Sequence, residues 1–131
     1  MDVDHRGRGD WTPLINAVRY KQLEAAKFLI EHKAAVDTPD QFKSSALHPA
    51  CQEGFDDMGA LLLDNGADIN KGNKLGFTPL MYAARANQPA FVKMLLERKA
   101  DTTAKNMVRQ TALDIANDKK FDAIVALLQS A

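Results

Sequence analysis

The sequence has 131 residues, the size of one ordinary domain. Lys plus Arg and Asp plus Glu both number 17, so the formal charge is zero, and bulk electrostatics favour neither nucleic acid nor a membrane surface. The single cysteine excludes an internal disulfide, and there is no glycosylation sequon, no apolar run long enough to span a bilayer and no secretory apolar segment at the start. These features predict a protein of a reducing compartment, the cytoplasm or the nucleus, without membrane insertion.

A short motif recurs four times along the chain at a fixed spacing of 33 residues. In each copy a hydroxyl residue is followed by Leu two positions later and by Ala five positions later, and the hydroxyl residues are Thr12, Ser45, Thr78 and Thr111. A hydroxyl here caps the free N–H groups of a helix, and the Pro that follows Thr12 and Thr78 suits a first helical position. The motif predicts short helices near 12–20, 45–53, 78–86 and 111–119.

A second helix is predicted after each of these segments. Leu29, Leu62, Leu95 and Leu128 repeat the same spacing and stand among apolar residues at nearly helical intervals. The predicted ranges are 22–32, 55–65, 88–98 and 121–129. The faces that we expect to be buried are Ala25/Leu29/Ile30, Met58/Leu62/Leu63, Phe91/Val92/Leu95/Leu96 and Ile124/Val125/Leu128.

These repeats resemble a known family. Thr-Pro-Leu, Ala-Ala, a Leu-Leu pair and the run Gly66-Ala67-Asp68-Ile69-Asn70 are similar to the ankyrin repeat, and the resemblance covers nearly the whole chain. It implies an all-α solenoid in which each helix-turn-helix unit is stabilised by its neighbours and is joined to the next by a hairpin-like loop. We expect one domain, 1–131, with residues 1–11 as the remnant of a preceding loop and units at about 7–39, 40–72, 73–105 and 106–131.

The ends of the sequence leave two interpretations open. Residues 1–4 fall in register with residues 67–70, inside the loop that would close an earlier repeat. The chain is therefore either a small natural protein or a piece of a longer repeat array, and we prefer the second interpretation.

Some positions depart from the family pattern. Ankyrin units usually carry Gly after each helix, where the backbone turns left-handed. Here Lys21, Lys33, Asn87 and Lys99 occupy such positions, and a Lys held at positive φ costs about 1 kcal/mol. Pro49 lies inside the predicted first helix of the second unit and removes a backbone hydrogen bond, so we expect that helix to be short or distorted.

The resemblance also implies where a partner binds. In this family, partners usually contact the loop tips and the solvent-facing side of the first helices, which line a groove. Apolar side chains rimmed by polar groups mark interaction sites, and Trp, Tyr and Arg dominate binding hot spots. Carried over position by position, the partner-binding residues, which we call the groove set, are Trp11, Arg19, Tyr20, Phe42, Glu53, Lys74, Leu75, Phe77, Arg85, Met107, Val108 and Lys119.

The charge of this surface suggests the kind of partner. Basic residues outnumber the acidic Glu53 and Asp118, so we expect a protein or peptide partner of acidic character. Some of the aromatic residues have an alternative role, since they would also fit as covers for neighbouring loops, and Trp11 would fit against a preceding unit. The basic residues on this surface are Arg6, Arg8, Arg19, Lys74, Arg85, Lys105 and Lys119.

The function that we predict is that of a non-catalytic, monomeric protein-interaction module, a scaffold or adaptor. One alternative is the binding of a nucleotide or single-stranded nucleic acid, because aromatic faces beside Arg and Lys stack bases. Another is a structural spacer within a longer ankyrin protein. No phosphate-binding loop, nucleophile elbow or pair of catalytic carboxylates is recognisable, so no enzyme activity is predicted.

Two small motifs have simpler explanations. His48 and Cys51 are three residues apart, but zinc requires three or four ligands, and His5 and His32 are not spaced to complete a site. The resemblance implies that His48 is the histidine of the Thr-Pro-Leu-His motif and that Cys51 belongs to the core. The tripeptide at 8–10 matches an adhesion motif, but a match of three residues is too short to indicate an adhesion function. We predict neither a metal nor another cofactor.

Overall fold

The structure is a computed structural model that describes residues 6–131. The expectation for residues 1–4 falls outside this part of the chain. Between residues 6 and 131 the secondary structure consists of eight α-helices and one short 3-10 turn, with no β-strand. The helices form four helix-turn-helix units that stack side by side, so the predicted all-α repeat solenoid is confirmed.

The helix boundaries agree with the predicted ranges to within two residues. The first helices of the four units are α1 Pro13–Arg19, α3 Leu47–Glu53, α5 Pro79–Arg85 and α7 Ala112–Lys119. The second helices are α2 Leu23–Glu31, α4 Asp56–Asp64, α6 Pro89–Glu97 and α8 Asp122–Gln129. Among residues 6–131, no helix has both the length and the apolar character required to cross a bilayer.

The hydroxyl residues of three units cap their helices as predicted. The side chain of Thr12 accepts a hydrogen bond from the backbone N–H three residues later at 3.1 Å, and those of Thr78 and Thr111 do the same at 3.4 and 3.2 Å. At α7 the cap is reciprocal, because the carboxylate of Asp114 also accepts from the Thr111 N–H at 3.0 Å. These caps fix the starts of α1, α5 and α7.

The helix of the second unit starts differently. Pro49 is the third residue of α3 and has no N–H with which to bond the Ser45 carbonyl, so the His48 N–H donates to that carbonyl instead, at 3.2 Å. The helix begins at Leu47, after an Ala46 that supplies no side-chain cap. It nevertheless contains seven residues, as α1 and α5 do. The expectation was a short or distorted helix: α3 is not shortened, because a proline in the first turn is tolerated, and the departure from the other units is confined to its start.

The core runs continuously through the stack. First helices pack on first helices and second helices on second helices, so each unit covers the apolar side of the next. The repeated alanines Ala50, Ala83 and Ala116 are fully buried, which allows close approach of neighbouring helices. One predicted core residue was wrong, since Ala25 is exposed and Ala26 is buried in its place.

The loops between units form regular tight turns. The side-chain oxygens of Asp40, Asn73 and Asn106 each accept hydrogen bonds from the backbone N–H groups two and four residues later, at 2.8 to 3.0 Å. Such a short acceptor closes the turn of its own loop. Unit one has Gly7 at the corresponding position, and residues Arg8–Asp10 form its 3-10 turn. The loops of units two to four therefore share one turn geometry, and unit one turns differently at the same place.

The backbone turns left-handed where Gly was expected. Lys21, Lys33, Asn87 and Lys99 have φ values of 56°, 70°, 56° and 67°, as predicted. The sequence reading missed a further set of non-glycine residues with positive φ, which lie at the loop turns and after α7. These are Asp10, Lys43, Arg109 and Lys120.

Candidate partner-binding surface

The loops and the first helices lie on one side of the array, which we call the groove face. In units one and three the loop contacts the C-terminal end of the first helix that follows it. Arg19 of α1 contacts Trp11, and Arg85 of α5 contacts Phe77. The members of the groove set lie on these loops, on the ends of the first helices and on the turn after α1. The repeat register therefore places them along a common side of the stack.

Five members of the groove set are large apolar residues that stay exposed. Their side chains come from the turn after α1 and from the loops of the second, third and fourth units. In the described part of the chain, only one other large apolar residue, Phe28 on α2, is comparably exposed. The five residues and their exposed fractions are Tyr20 67%, Phe42 56%, Leu75 57%, Met107 71% and Val108 70%.

Trp11 and Arg19 form a contact with Asp40 at the first unit. The Arg19 guanidinium lies 4.3 Å from the centre of the half-buried Trp11 ring, and its Nη2 is 3.9 Å from Asp40 Oδ2. The Asp40 side chain is 1% exposed, and Oδ2 has no hydrogen bond among residues 6–131. Because a buried carboxylate needs a compensating charge, Arg19 is committed to this contact. The sequence analysis missed Asp40.

Phe77, Tyr82 and Arg85 form a second cluster at the third unit. The Arg85 guanidinium lies 4.7 Å from the Phe77 ring centre and 5.0 Å from that of Tyr82. The two rings are 5.7 Å apart, and Tyr82 Oη accepts a hydrogen bond from Asn73 Nδ2 at 2.6 Å. Tyr82 was not predicted as a site residue, although its position three residues before Arg85 puts both on one helix face.

A recess lies between these two clusters. It has a volume of about 90 Å³, and its lining includes Arg19, Glu53, Tyr82, Gln52 and Pro49. Residue 49 is in register with Tyr82 one unit later, so the compact proline stands where unit three carries a long aromatic side chain. A proline at this position leaves room that a tyrosine side chain would occupy.

His48 forms part of the recess wall and is held in a neutral state. The Ser45 N–H donates to its Nδ1 at 3.0 Å, so Nε2 carries the proton and donates to the Lys71 carbonyl at 2.9 Å. Its ring meets Tyr82 edge-on at 5.2 Å. Burial lowers the pKa of His48 below 6.5. His48 therefore joins units two and three rather than acting as a free titrating group.

The remaining charges give a net basic surface with local pairing. Glu53, Lys74 and Lys119 are exposed, and Glu53 borders the recess. The structure removes some cations from the sequence-based count of free positive charges on this surface and adds others. Arg6 is within 3.9 Å of Asp10, and Arg19 of the buried Asp40, so these two cations are partly neutralised. Two exposed cations at the loop turns were missed, Lys43 and Arg109.

The described residues contain no cluster of three or more metal-ligating side chains. Cys51 is fully buried, and burial raises the pKa of its thiol well above the ordinary value, so the thiol is unreactive. The tripeptide Arg8–Asp10 forms the turn of the first loop, at the place where the other loops also turn.

Comparison with known proteins places the chain among repeat proteins. A family model described as ankyrin repeats, in three copies, matches residues 1–73, 35–106 and 61–131. The chain is 33% identical over 120 residues to ankyrin repeat and SOCS box protein 11 of Danio rerio, covering 92% of this chain and 40% of that protein. It is 36% identical over 110 residues to the E3 ubiquitin-protein ligase hecd-1 of Caenorhabditis elegans, covering 83% of this chain and 4% of the ligase.

A third relative is the NAD-capped RNA hydrolase NUDT12 of Pongo abelii, at 37% identity over 95 residues, covering 72% of this chain and 21% of the hydrolase. The chain thus spans at most 40% of the length of these three relatives. Two of these relatives are enzymes of different kinds by name, a ubiquitin-protein ligase and an RNA hydrolase, which fits a fold that hosts many functions. The family model, the repeated motif and the stacked helix pairs agree: the chain belongs to the ankyrin repeat family.

Proposed function

We propose that this protein is a non-catalytic interaction module, a scaffold or adaptor, that binds a protein or peptide segment on its groove face. One observation carries the proposal. Of the six large apolar residues that are exposed in the described chain, five lie on the groove face, and Phe28 alone lies on a second helix. Contiguous apolar groups rimmed by polar ones are typical of interaction surfaces. The buried thiol of the single cysteine fits a reducing compartment, cytoplasmic or nuclear.

The charges of the groove face favour an acidic partner. Arg85 has no carboxylate within 4.0 Å among residues 6–131, and its contacts are with the Phe77 and Tyr82 rings. Packing on rings orients the guanidinium without neutralising it. A carboxylate of the partner would complete this site. Arg19, in contrast, is already paired with Asp40 and contributes more to the shape of the groove face than to its free positive charge.

The recess offers a place for one partner side chain. Its volume of about 90 Å³ suits a group of the size of Val, Thr or Leu, with Gln52 and Glu53 at its edge to hydrogen-bond a donor. Filling it from within the protein should block binding. Pro49→Tyr introduces the side chain that unit three carries at the same register, so the substitution matches a side chain the fold already accepts there.

The experiment is affinity capture of cell proteins followed by mass spectrometry, with four immobilised proteins in parallel. These are the wild type, Arg85→Glu, Pro49→Tyr and the control Phe28→Ser, each checked by circular dichroism and thermal melting. We expect a common set of captured proteins with wild type and control, and at least about tenfold less of it with the other two, the loss expected for one interface anchor. Equal capture by all four proteins would contradict the proposal.

A nucleic-acid partner is less well supported. The Arg85 guanidinium lies over both the Phe77 and the Tyr82 ring and so occupies one face of each, which leaves less ring surface on which bases could stack. A titration with single-stranded oligonucleotide at two salt concentrations separates the cases, because phosphate contacts weaken steeply with salt. A spacer role makes a different prediction, namely that Phe28→Ser rather than Arg85→Glu removes the captured proteins.

A further inference from the structure

Three exposed apolar side chains form a line along the loop tips. Phe42, Leu75 and Val108 occupy the same register in units two, three and four, and they are 56%, 57% and 70% exposed. Unit one has Gly9 at this register. Each side chain stands at the turn of its loop, beyond the packed core. We call these three residues the tip row.

The backbone beneath the tip row is held by hydrogen bonds between units. The Lys74 N–H donates to the Phe42 carbonyl at 2.8 Å, and the Met107 N–H donates to the Leu75 carbonyl at 3.0 Å. Within each loop, the Asx turn described above adds two further bonds. The tips are therefore rigid relative to one another, and a partner meets a preformed row with little ordering cost.

The spacing of the row follows from the stacking of the units. First helices pack on first helices and second helices on second helices, and packed helix axes are 8 to about 10 Å apart. One tip is therefore separated from the next by about 10 Å. The tip row presents three apolar groups at intervals of about 10 Å.

The side chains on one face of an α-helix recur at nearly this interval. Seven helical residues advance about 10.5 Å, so positions seven apart return to nearly the same face. A β-strand returns to one face every two residues, about 6.7 Å, or every four, about 13 Å, and neither interval fits. A polyproline helix advances about 9.3 Å per turn but has no holes between side chains to receive a protruding group. A helix face has such holes, each formed by four side chains.

The charges beside the tip row indicate which residues should flank the apolar face of that helix. Lys43, Lys74 and Arg109 are exposed next to the three tips. None of them has a carboxylate within 4.0 Å among residues 6–131. Asp40, an acid in the same loop as Phe42 and Lys43, is buried and paired with Arg19. Acidic residues on both sides of an apolar helix face would meet these free cations.

We infer that the tip row Phe42, Leu75 and Val108 binds an acidic amphipathic α-helix of a partner protein, whose apolar positions recur every seven residues. Each tip enters a hole on the helix, and Lys43, Lys74 and Arg109 contact the acidic flanks. The inference rests on the proposed interaction function and specifies the partner's conformation, period and charge.

Selection from a displayed library of random peptides of about 18 residues tests the inference, since that length of helix spans the whole row. The baits are the wild type, the triple variant Phe42→Ser/Leu75→Ser/Val108→Ser, the groove variant Arg85→Glu and the control Phe28→Ser. All four substituted tip and control positions are exposed, and melting curves verify that each bait is folded. We expect enriched peptides with apolar residues seven apart and acidic flanks, bound by wild type and control and lost on the triple variant.

The outcomes separate the two levels of the proposal. Enriched peptides with Pro at every third position, or without a period of seven, or with basic flanks would overturn the helical partner. If their binding is still lost on Arg85→Glu or the triple variant, the interaction function stands. If no peptide is enriched above blank support, or if all four baits retain the same peptides equally, both the helical partner and the groove-face function are overturned.

One enriched peptide is then made synthetically and titrated by fluorescence anisotropy. The triple variant should raise the dissociation constant by at least about 100-fold, as expected when three interface anchors are removed. Phe28→Ser should leave the dissociation constant within about twofold of the wild-type value. Replacing a central residue of the peptide with Pro should weaken binding to a similar extent, because Pro breaks the helix. Unchanged affinity of the Pro peptide would overturn the helical conformation.

Discussion

Units two and three have the same helix-turn-helix backbone but differ in the shape of their surfaces. At one register, unit three carries Tyr82, which projects beside Arg85, and unit two carries Pro49, which leaves a recess. At the preceding register, unit three has the buried Met81, and unit two has the buried His48, which bonds across to the next loop. The comparison shows that the units keep the same helix positions, while single residues decide between a protrusion, a recess and a bond to the following loop.

The two units are also fitted to each other in the core. Gly59 of α4 is buried directly against the Phe91 ring of α6, so that a Cβ at residue 59 would lie 2.4 Å from Phe91 Cζ. The corresponding pair between units three and four is Val92 and Ile124, both fully buried. A large residue on one unit is thus matched by a small one on its neighbour.

The largest effect that we expect comes from breaking this match. Gly59→Val should lower the free energy of unfolding by about 3 kcal/mol, because the added methyl groups overlap the Phe91 ring. Adding Phe91→Ile recreates the Val–Ile pair found between units three and four, and should recover at least about 1 kcal/mol. Urea unfolding of the wild type, both single variants and the double variant measures the coupling. Strictly additive effects would show that the two residues do not share space.

A pH effect should follow from the buried histidine of unit two. Because the pKa of His48 is lowered in the folded state, the unfolded chain takes up the proton first. The stability contributed by neutral His48 is present in full above about pH 6.5 and is lost as the pH falls through the lowered folded-state pKa. The slope from this one group is at most about 1.4 kcal/mol per pH unit.

His48→Met gives unit two the residue of unit three and provides the control. The variant should lose that part of the slope, measured by urea unfolding between pH 7.5 and pH 5, with the pH range set by the unperturbed histidine pKa of about 6.5. At neutral pH it should be less stable by about 1–3 kcal/mol, since the Lys71 carbonyl and the Ser45 N–H lose their partner. An identical slope in both proteins would mean that another group is responsible.

The helix starts of the two units offer a smaller test. Thr78→Ala removes the cap of α5 and should cost about 1 kcal/mol. Ser45→Ala should cost less than about 0.5 kcal/mol, because no side chain caps α3 and the 3.3 Å contact of the Ser45 hydroxyl is with His48 Nδ1, which the Ser45 backbone N–H already bonds at 3.0 Å. Thermal melting at fixed pH compares the two variants. Equal losses would show that the Ser45 hydroxyl caps α3 as well.

The smallest effect concerns the turn after the second helix. Unit two has Gly66 there, with φ 93°, whereas Lys33 and Lys99 stand at φ 70° and 67° in units one and three. Lys33→Gly and Lys99→Gly should each stabilise the protein by about 0.5 kcal/mol, since strain relief exceeds the entropy lost with glycine. Urea midpoints measure the change. A loss of stability in both variants would show that the lysine side chains contribute more than the backbone strain costs.

Sequence reading located the helices well because their signals are local. Thr12, Thr78 and Thr111 cap helices in the predicted places, and the left-handed turns at Lys33 and Lys99 followed from register alone. The groove set was placed on one side of the stack, since a strict repeat carries each position to the same side. Its role in binding stays a prediction.

The parts that sequence reading missed depend on contacts between units. Asp40 looks like an ordinary loop acid, but the stack buries it beneath Arg19 and so reduces the free charge of the groove face. Tyr82 reads as a helix residue, but its ring meets Arg85 and His48. Ala25 and Ala26 are equally apolar, and only helix packing decides which one is buried.

The sequence by itself determined the family, the number of units, the helices and the register, because capping, turn chemistry and a fixed spacing act over a few residues. The tertiary structure alone decided which cations remain unpaired, where the recess lies and which apolar groups stay exposed at the loop tips. These depend on distances between side chains one unit apart, which arise only when the units stack.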